Sequence, residues 1–364
     1  MLIKKELLLG IMVIMLSYVC LGKTEVSPYD KRDKIYFGAT SPSVYYRGQL
    51  NLEDYSSSGF SEETTSEEIY HLWDRLVEKY PNMISKTDLG LCSDGILHIY
   101  EYDIIPQTYK WTNDKVKIQP PTVLIISGQH GYEKASSMGL YFFVRDLLEN
   151  ADKNDSLGWL KSNICFKVLP ICNPYGWDKN DYLNFNGVNL NRNYDMLGFP
   201  ASTEAKPGER EYGGEFPFDQ AETQIVKRFV LDNLNAVVFI DFHTYGHEAV
   251  ESAWYVNWND LMDIDDEYYI RANYAITTHI NRQTVEFQKQ YSLNVGTLCV
   301  GYQTLGDANF PSADAWVTSQ KIIGLTVEGF TGFPGGELYT AEVLQANSQI
   351  IGNVIINLIC ELKK

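Results

Sequence analysis

Two hydrophobic periodicities alternate along the chain from residue 66 onward. Segments in which apolar residues recur every three or four positions predict helices, and they cover 66–80, 135–150, 221–234, 271–290 and 341–364. Short runs that alternate with period two, or that are apolar throughout, predict strands, and they cover 96–104, 122–128, 164–171, 236–243 and 322–330. Because strands alternate with helices and neither a repeat nor a clear linker interrupts the pattern, we expect a single α/β domain. Its central mixed, largely parallel, twisted sheet would be flanked by helices over residues 66–364.

The first 65 residues do not follow this pattern. Two lysines precede an apolar run over 7–19, which is shorter than the roughly 20 residues that a spanning helix needs. A basic start, a short apolar segment and small residues after it predict a secretory signal peptide over 1–22, with an N-terminal arm without a core of its own over 23–65. We therefore expect a secreted or periplasmic protein, and lipid attachment at Cys20 is the alternative. We expect no spanning segment in the mature chain.

The charge balance excludes one class of partner. The chain has 30 Lys and Arg against 47 Asp and Glu, which gives a formal net charge of −17. A protein that binds nucleic acid without regard to sequence needs a surplus of basic residues against the phosphates. We therefore expect no nucleic-acid partner, and the oligomeric state stays open.

Chemically reactive side chains stand at the ends of several predicted strands. His130 and Glu133 follow one strand, His243 ends another, and Glu328 lies near the end of a third. In open α/β sheets, ligands bind outside the carboxyl ends of the strands. Two imidazoles and a carboxylate could hold a zinc ion and leave a position for water, and a further carboxylate could act as general base. The H-x-x-E spacing alone is common by chance, so the argument depends on the coincidence of strand ends.

Four segments, in this order, resemble the motifs of the zinc carboxypeptidases of the carboxypeptidase A type. They are "GQHGYE" (128–133), "NPYGWDKNDYLNFNGVNLNRNYD" (173–195), "DFHTYG" (241–246) and "SADAWVTSQKIIGLTVEG" (312–329). The resemblance runs from about Ser66 to the last residue, and "GVNLNRN" is its most specific part. Two His and one Glu are the known zinc ligands of carboxypeptidase A. The resemblance implies that His130, Glu133 and His243 bind one zinc ion per chain, and that Glu328 is the general base.

The same resemblance implies how a substrate binds. Asn191 and Arg192 match the pair that holds the terminal carboxylate of a peptide. Arg presents a planar fork of donors that can bind a carboxylate through two hydrogen bonds, and Asn adds another donor. The implied partner is therefore a peptide with a free C-terminal carboxylate.

The chain departs from the family at a third substrate-binding position. Family members often have an Arg there, which polarises the scissile carbonyl. Aligned without gaps, Tyr182 stands at this position, and Lys179 is the nearest cation. Loss of one oxyanion donor typically costs roughly 10²–10³ in rate, so either another residue fills the role or the enzyme is slow. Tyr302 matches the mobile Tyr of the family if a small insertion is allowed.

These observations favour a secreted zinc metallocarboxypeptidase that hydrolyses the C-terminal peptide bond of peptides, with Glu328 acting as general base on a metal-activated water. Two alternatives stay open. One is a cell-wall (muropeptide) peptidase or a deacylase on the same fold. The other is a non-catalytic module that binds zinc or peptide, and its only support is the missing Arg.

Overall fold

The computed structural model describes residues 46, 48–106, 120–245, 256–258, 271, 272, 274, 275, 278, 290, 301, 302, 311–332 and 337–364. Eight α-helices have defined bounds in this part of the chain: α1 (Leu52–Ser56), α2 (Ser66–Lys79), α3 (Lys134–Glu149), α4 (Asp155–Asn163), α5 (Pro174–Lys179), α6 (Ala221–Leu231), α7 (Ala313–Ser319) and α8 (Ala341–Leu362). Eight strands accompany them: β1 (Ile84–Leu91), β2 (His98–Ile104), β3 (Thr122–Ser127), β4 (Cys165–Leu169), β5 (Val238–Tyr245), β6 (Val256–Trp258), β7 (Gly301–Tyr302) and β8 (Ile323–Phe330).

The strands form one mixed sheet in the order β1-β2-β4-β3-β5-β8-β6-β7. Its centre, β4-β3-β5-β8, is parallel. The strand pairs β1-β2, β2-β4 and β6-β8 are antiparallel. This arrangement confirms the predicted α/β fold with a mixed sheet. It also brings the carboxyl ends of β3, β5 and β8 to one edge, as ligand sites in such sheets require.

Helices cover both faces of the parallel centre. The larger core lies on the face covered by α2, α3 and α8 and contains Trp73, Phe142 and Ile355. The smaller core lies under α6 and α7 and contains Phe239 and Trp316. Burial on both faces explains why the strand run at 122–127 is apolar without alternation, since every residue of β3 is buried.

Residues of the N-terminal arm belong to the larger core. Tyr46 is fully buried. Its hydroxyl donates to the carboxylate of Asp146 at 2.6 Å, and its backbone N–H donates to Asn353 at 2.9 Å. Tyr55 packs on the ring of Phe142 with a centroid distance of 4.4 Å. The described part of the arm is therefore packed into the core of the domain. The predicted signal peptide and Cys20 lie outside the described residues.

Several structural features differ from the sequence prediction or lie beyond it. Strand β1 was not predicted, because it is an edge strand in which only one of eight residues is buried. Most of the predicted helix 271–290 lies outside the described residues. Helix α8 is long and apolar enough to cross a membrane by length and composition, although the sequence led us to expect no spanning segment. In the structure, 94% of its most apolar window is buried inside the protein, as expected of a core helix.

Candidate metal centre

A tight turn after β3 presents the first two predicted ligands. Gly128 has φ +64°, a backbone conformation that glycine adopts without strain. At Gly131 a Cβ atom would lie 1.9 Å from the carbonyl carbon of Gly176, so a side chain does not fit there. The two glycines thus let the chain turn against the start of α5. His130 and Glu133 project from this turn, and both are buried.

The three predicted ligands converge on one point. Nδ1 of His130 lies 2.8 Å from Oε1 of Glu133, and Nδ1 of His243 lies 2.8 Å from Oε2 of the same carboxylate. The two Nδ1 atoms are 3.1 Å apart. The ligand atoms of all three residues lie within 4.8 Å of one another. Such a buried cluster of electron-pair donors fits a cation, and imidazole with carboxylate is a ligand set suited to zinc.

The outer nitrogen of His130 is held by Asn189. Nε2 lies 3.1 Å from Oδ1 of Asn189. That amide is oriented by two other bonds: its Oδ1 accepts the backbone N–H of Asn191 at 3.0 Å, and its Nδ2 donates to the carbonyl of Arg210 at 2.8 Å. Because Oδ1 can only accept, the proton of His130 belongs on Nε2. Its Nδ1 lone pair then faces Glu133 and the centre of the cluster.

The outer nitrogen of His243 has a carboxylate partner. Nε2 lies 2.8 Å from Oδ2 of Asp241, which is fully buried and also accepts a hydrogen bond from Gln129. Asp241 was not among the residues predicted from the sequence, although a signal existed. It stands two positions before His243 on the same strand, so both side chains project to one face of the sheet.

The electrostatics of the cluster favour a positive charge. Burial lowers the pKa of His130. Burial also opposes charging of His243, but the carboxylates of Asp241 and Glu133 raise its pKa well above the usual value. For Glu133, the two imidazoles outweigh burial and lower the pKa. The site therefore attracts a cation, either a proton on His243 or a metal ion in its place.

Glu328 lies on the strand next to that of the third ligand, His243. It is on β8, in register with His243 on the neighbouring parallel strand β5. Registered residues of adjacent strands project to the same face, so the two side chains share the face that α7 covers. Glu328 is half-buried, whereas His243 is 2% exposed.

Asn191 and Arg192 form a 3-10 turn with Leu190, close to the cluster. Nδ2 of Asn191 lies 3.4 Å from Nε2 of His243, and its Oδ1 accepts the backbone N–H of Ala313. The guanidinium of Arg192 is bonded to the carboxylate of Glu211, with Nε and Oε2 2.8 Å apart. No sequence pattern pointed to Glu211, which lies in a long loop without periodicity.

The other three predicted residues have different positions. The ring of Tyr182 stacks on that of His130, with a centroid distance of 3.8 Å and an interplanar angle of 19°. Lys179 is exposed at the last position of α5, and none of the contacts described for the cluster involves it. The backbone of Tyr302 lies in β7, but its side chain is outside the described part of the chain.

Comparison with known proteins gives a consistent result. Residues 69–333 match the model of the zinc carboxypeptidase family, peptidase family M14. Carboxypeptidase B of Astacus astacus is 23% identical over 284 residues, which are 73% of this chain and 87% of that protein. Mast cell carboxypeptidase A of Mus musculus is 27% identical over 199 residues. This match covers 48% of this chain and about half (45%) of that relative.

Solved structures share the fold at low identity. Bovine thrombin-activatable fibrinolysis inhibitor, solved with a tick carboxypeptidase inhibitor, has a TM-score of 0.60 and 17% identity, with 82% of this chain and 97% of that chain covered. A metallo-carboxypeptidase from Burkholderia cenocepacia has a TM-score of 0.56 and 18% identity, and the match covers 81% of this chain and 69% of that chain.

Proposed function

Because the chain belongs to the zinc carboxypeptidase family, we propose that it is a secreted zinc metallocarboxypeptidase that removes the C-terminal residue of peptides. One observation carries this proposal. His130, Glu133 and His243 offer ligand atoms within 4.8 Å of one another at the carboxyl ends of β3 and β5, and Glu328 stands in register beside them. Family membership makes the protein a hydrolase; the substrate, the residue roles and secretion belong to the proposal.

The three buried donors would hold one zinc ion. When bound, zinc supplies a Lewis acid for the attacking water and the scissile carbonyl. Asn189 and Asp241 fix the outer nitrogens of the two His ligands, so the Nδ1 atoms of both rings would be the ones that bind a metal ion.

Glu328 carries the proton in this mechanism. Its carboxylate removes a proton from water as the water oxygen attacks the carbonyl carbon of the last peptide bond. It then delivers this proton to the nitrogen of the leaving amino acid as the C–N bond breaks. One water is consumed, and the products are the shortened peptide and a free amino acid. Glu328 is suited to this role because it lies beside the cluster without belonging to its three-residue ligand set.

Asn191 and Arg192 would select the substrate by its terminal carboxylate. The amide of Asn191 lies beside His243, and Arg192 follows it in the same turn. A carboxylate bound by this pair places the last peptide bond near the metal and Glu328, which restricts cleavage to the end of the chain. Tyr302 belongs to the proposal as a further substrate contact, whereas the exposed position of Lys179 gives it no support.

The proposal is tested with purified, zinc-loaded protein. We expect release of single C-terminal residues from ordinary peptides, and loss of this activity with the C-terminal amide of the same peptides. Preference for muropeptides over ordinary peptides would instead favour a cell-wall enzyme. Zinc binding without turnover across the whole panel would identify a non-catalytic binding module and overturn the proposal.

Secretion is tested on the mature protein. We propose cleavage after Gly22, which leaves the arm from residue 23 attached to the domain at residue 66. N-terminal sequencing of protein from the culture supernatant or periplasm should begin at Lys23. A lipid-modified N-terminus at Cys20 would instead identify an anchored protein.

A further inference from the structure

The loop 208–214 is built onto the turn that carries Asn191 and Arg192. The backbone N–H of Asn189 donates to the carbonyl of Tyr212 at 2.8 Å, and Asn193 donates to the carbonyl of Gly213 at 2.6 Å. At Gly213 a Cβ atom would lie 2.3 Å from the carbonyl oxygen of Arg192, so the two backbones pack too closely for a side chain. The loop is therefore fixed on this turn by hydrogen bonds to its backbone carbonyls and by close backbone packing.

Arg210 lies in this loop and is tied to a metal ligand through one residue. Its carbonyl accepts a hydrogen bond from Asn189, and the same Asn189 side chain holds the outer nitrogen of His130. The guanidinium carbon of Arg210 lies 4.5 Å from the centroid of the Tyr182 ring. That ring in turn stacks on His130.

The position of Tyr182 gives this contact its significance. Tyr182 stands where the resemblance places the Arg that polarises the scissile carbonyl. The structure brings the guanidinium of Arg210 to that same residue from a loop 28 positions later in the sequence. An aromatic face attracts a cation, so the Tyr182 ring favours the guanidinium at this place.

We propose that Arg210 replaces the missing Arg, and that its guanidinium stabilises the negative charge that forms on the scissile carbonyl oxygen. The inference rests on the proposed peptidase function. Tyr182 holds the guanidinium at the rim of the centre when no substrate is bound. Arg210 is exposed and has a long side chain, so it can turn from the Tyr182 ring to a substrate carbonyl. Its two terminal nitrogens can donate to one oxyanion, as a Lys at this place could not.

The test measures two kinds of quantity on zinc-loaded protein. One is kcat for peptide hydrolysis, and the other is the affinity for two small molecules. The first is a phosphinic peptide, whose tetrahedral phosphinate resembles the charged transition state; the second is the free amino acid product. For Arg210→Gln we expect kcat and the phosphinic peptide affinity to fall by about 10²-fold, the loss typical of one oxyanion donor. The affinities for zinc and for the amino acid product should stay within about twofold. Lys206→Gln removes an equal charge from the neighbouring part of the chain. It should change neither kcat nor the phosphinic peptide affinity.

A relocation variant distinguishes this role from a structural one. Tyr182→Arg in the Arg210→Gln background puts the cation where the family has it. The kcat of this double variant should be at least tenfold higher than that of Arg210→Gln. If Arg210→Gln keeps its kcat and its phosphinic peptide affinity while the wild type cleaves peptides, Arg210 has no such role and the peptidase function stands. Loss of zinc affinity in Arg210→Gln would show that Arg210 only supports His130, which also overturns the inference. A wild type that neither cleaves peptides nor binds the phosphinic peptide would overturn the proposed function itself.

Discussion

Arg192 is bonded to a carboxylate of its own chain, that of Glu211, with Nε and Oε2 2.8 Å apart. The guanidinium proposed to bind a substrate carboxylate thus already has a carboxylate partner. Glu211 is 47% exposed, whereas Arg192 is 16% exposed. Because water reaches the Glu211 side of this pair, a substrate carboxylate can take its place at a cost of about 1 kcal/mol, near the upper end for surface ion pairs.

Replacement of Glu211 should therefore strengthen substrate binding. For Glu211→Gln we expect KM to fall by up to about fivefold with kcat unchanged, since the competing carboxylate is removed and the chemistry is not touched. Steady-state kinetics on a dipeptide series measures both constants. Glu204→Gln, an exposed carboxylate in the preceding part of the loop, is the matched control. An increase in KM for Glu211→Gln would mean that Glu211 orients Arg192 rather than competing with the substrate.

The register of Glu328 with His243 leads to a prediction about catalysis. Glu328→Gln keeps the shape of the side chain but cannot accept a proton. We expect kcat to fall by about 10²–10⁴-fold, the usual contribution of a general base. Zinc stoichiometry, measured by atomic absorption, should remain one per chain. Full activity of this variant would exclude Glu328 as the base.

Asp241 should matter for the metal rather than for the substrate. Its carboxylate holds Nε2 of His243 at 2.8 Å. Loss of such an outer partner typically costs 10–100-fold in metal affinity or activity, so Asp241→Asn should weaken zinc binding by about that factor. Competition with a chelator measures the affinity. Asp232→Asn, at the exposed end of α6, should leave it unchanged, and equal affinities in both variants would contradict the role given to Asp241.

The sequence predicted the ligands at the strand ends and, through the motif resemblance, the turn with Asn191 and Arg192, but not the residues of loop 208–214. The buried strands of the parallel centre have strong apolar patterns, and a residue at the end of such a strand can only lie at one edge of the sheet. The proximity of His130, Glu133 and His243 could therefore be predicted from the sequence. Arg210 and Glu211 could not, because their position depends on how a loop without periodicity packs onto the Asn189–Asn193 turn. Such a contact leaves no spacing signal in the sequence.

Zinc binding should depend on pH in a defined direction. The carboxylates of Asp241 and Glu133 outweigh burial and raise the pKa of His243 well above its usual value, so we expect the metal-free protein to hold a proton there at neutral pH. Zinc must displace this proton. Apparent zinc affinity should therefore fall by about tenfold per pH unit below that pKa, and binding at pH 7 should release about one proton. Calorimetry in two buffers of different ionisation enthalpy measures the release. Binding without proton release at pH 7 would contradict the prediction.

The arm residue Tyr46 should contribute to the stability of the whole domain. Its ring packs edge-on against Phe143 with a centroid distance of 5.7 Å, and its hydroxyl donates to Asp146. Tyr46→Ala leaves a cavity and should lower the free energy of unfolding by about 3–5 kcal/mol, as large aromatic truncations in cores do. Tyr46→Phe loses only the hydrogen bond to a carboxylate, worth about 1.5–3 kcal/mol. Urea unfolding followed by tryptophan fluorescence measures both, and Leu197→Ala, at a side chain that is 91% exposed, should change little. If Tyr46→Ala were as stable as the wild type, the contacts of Tyr46 would contribute nothing to the stability of the domain.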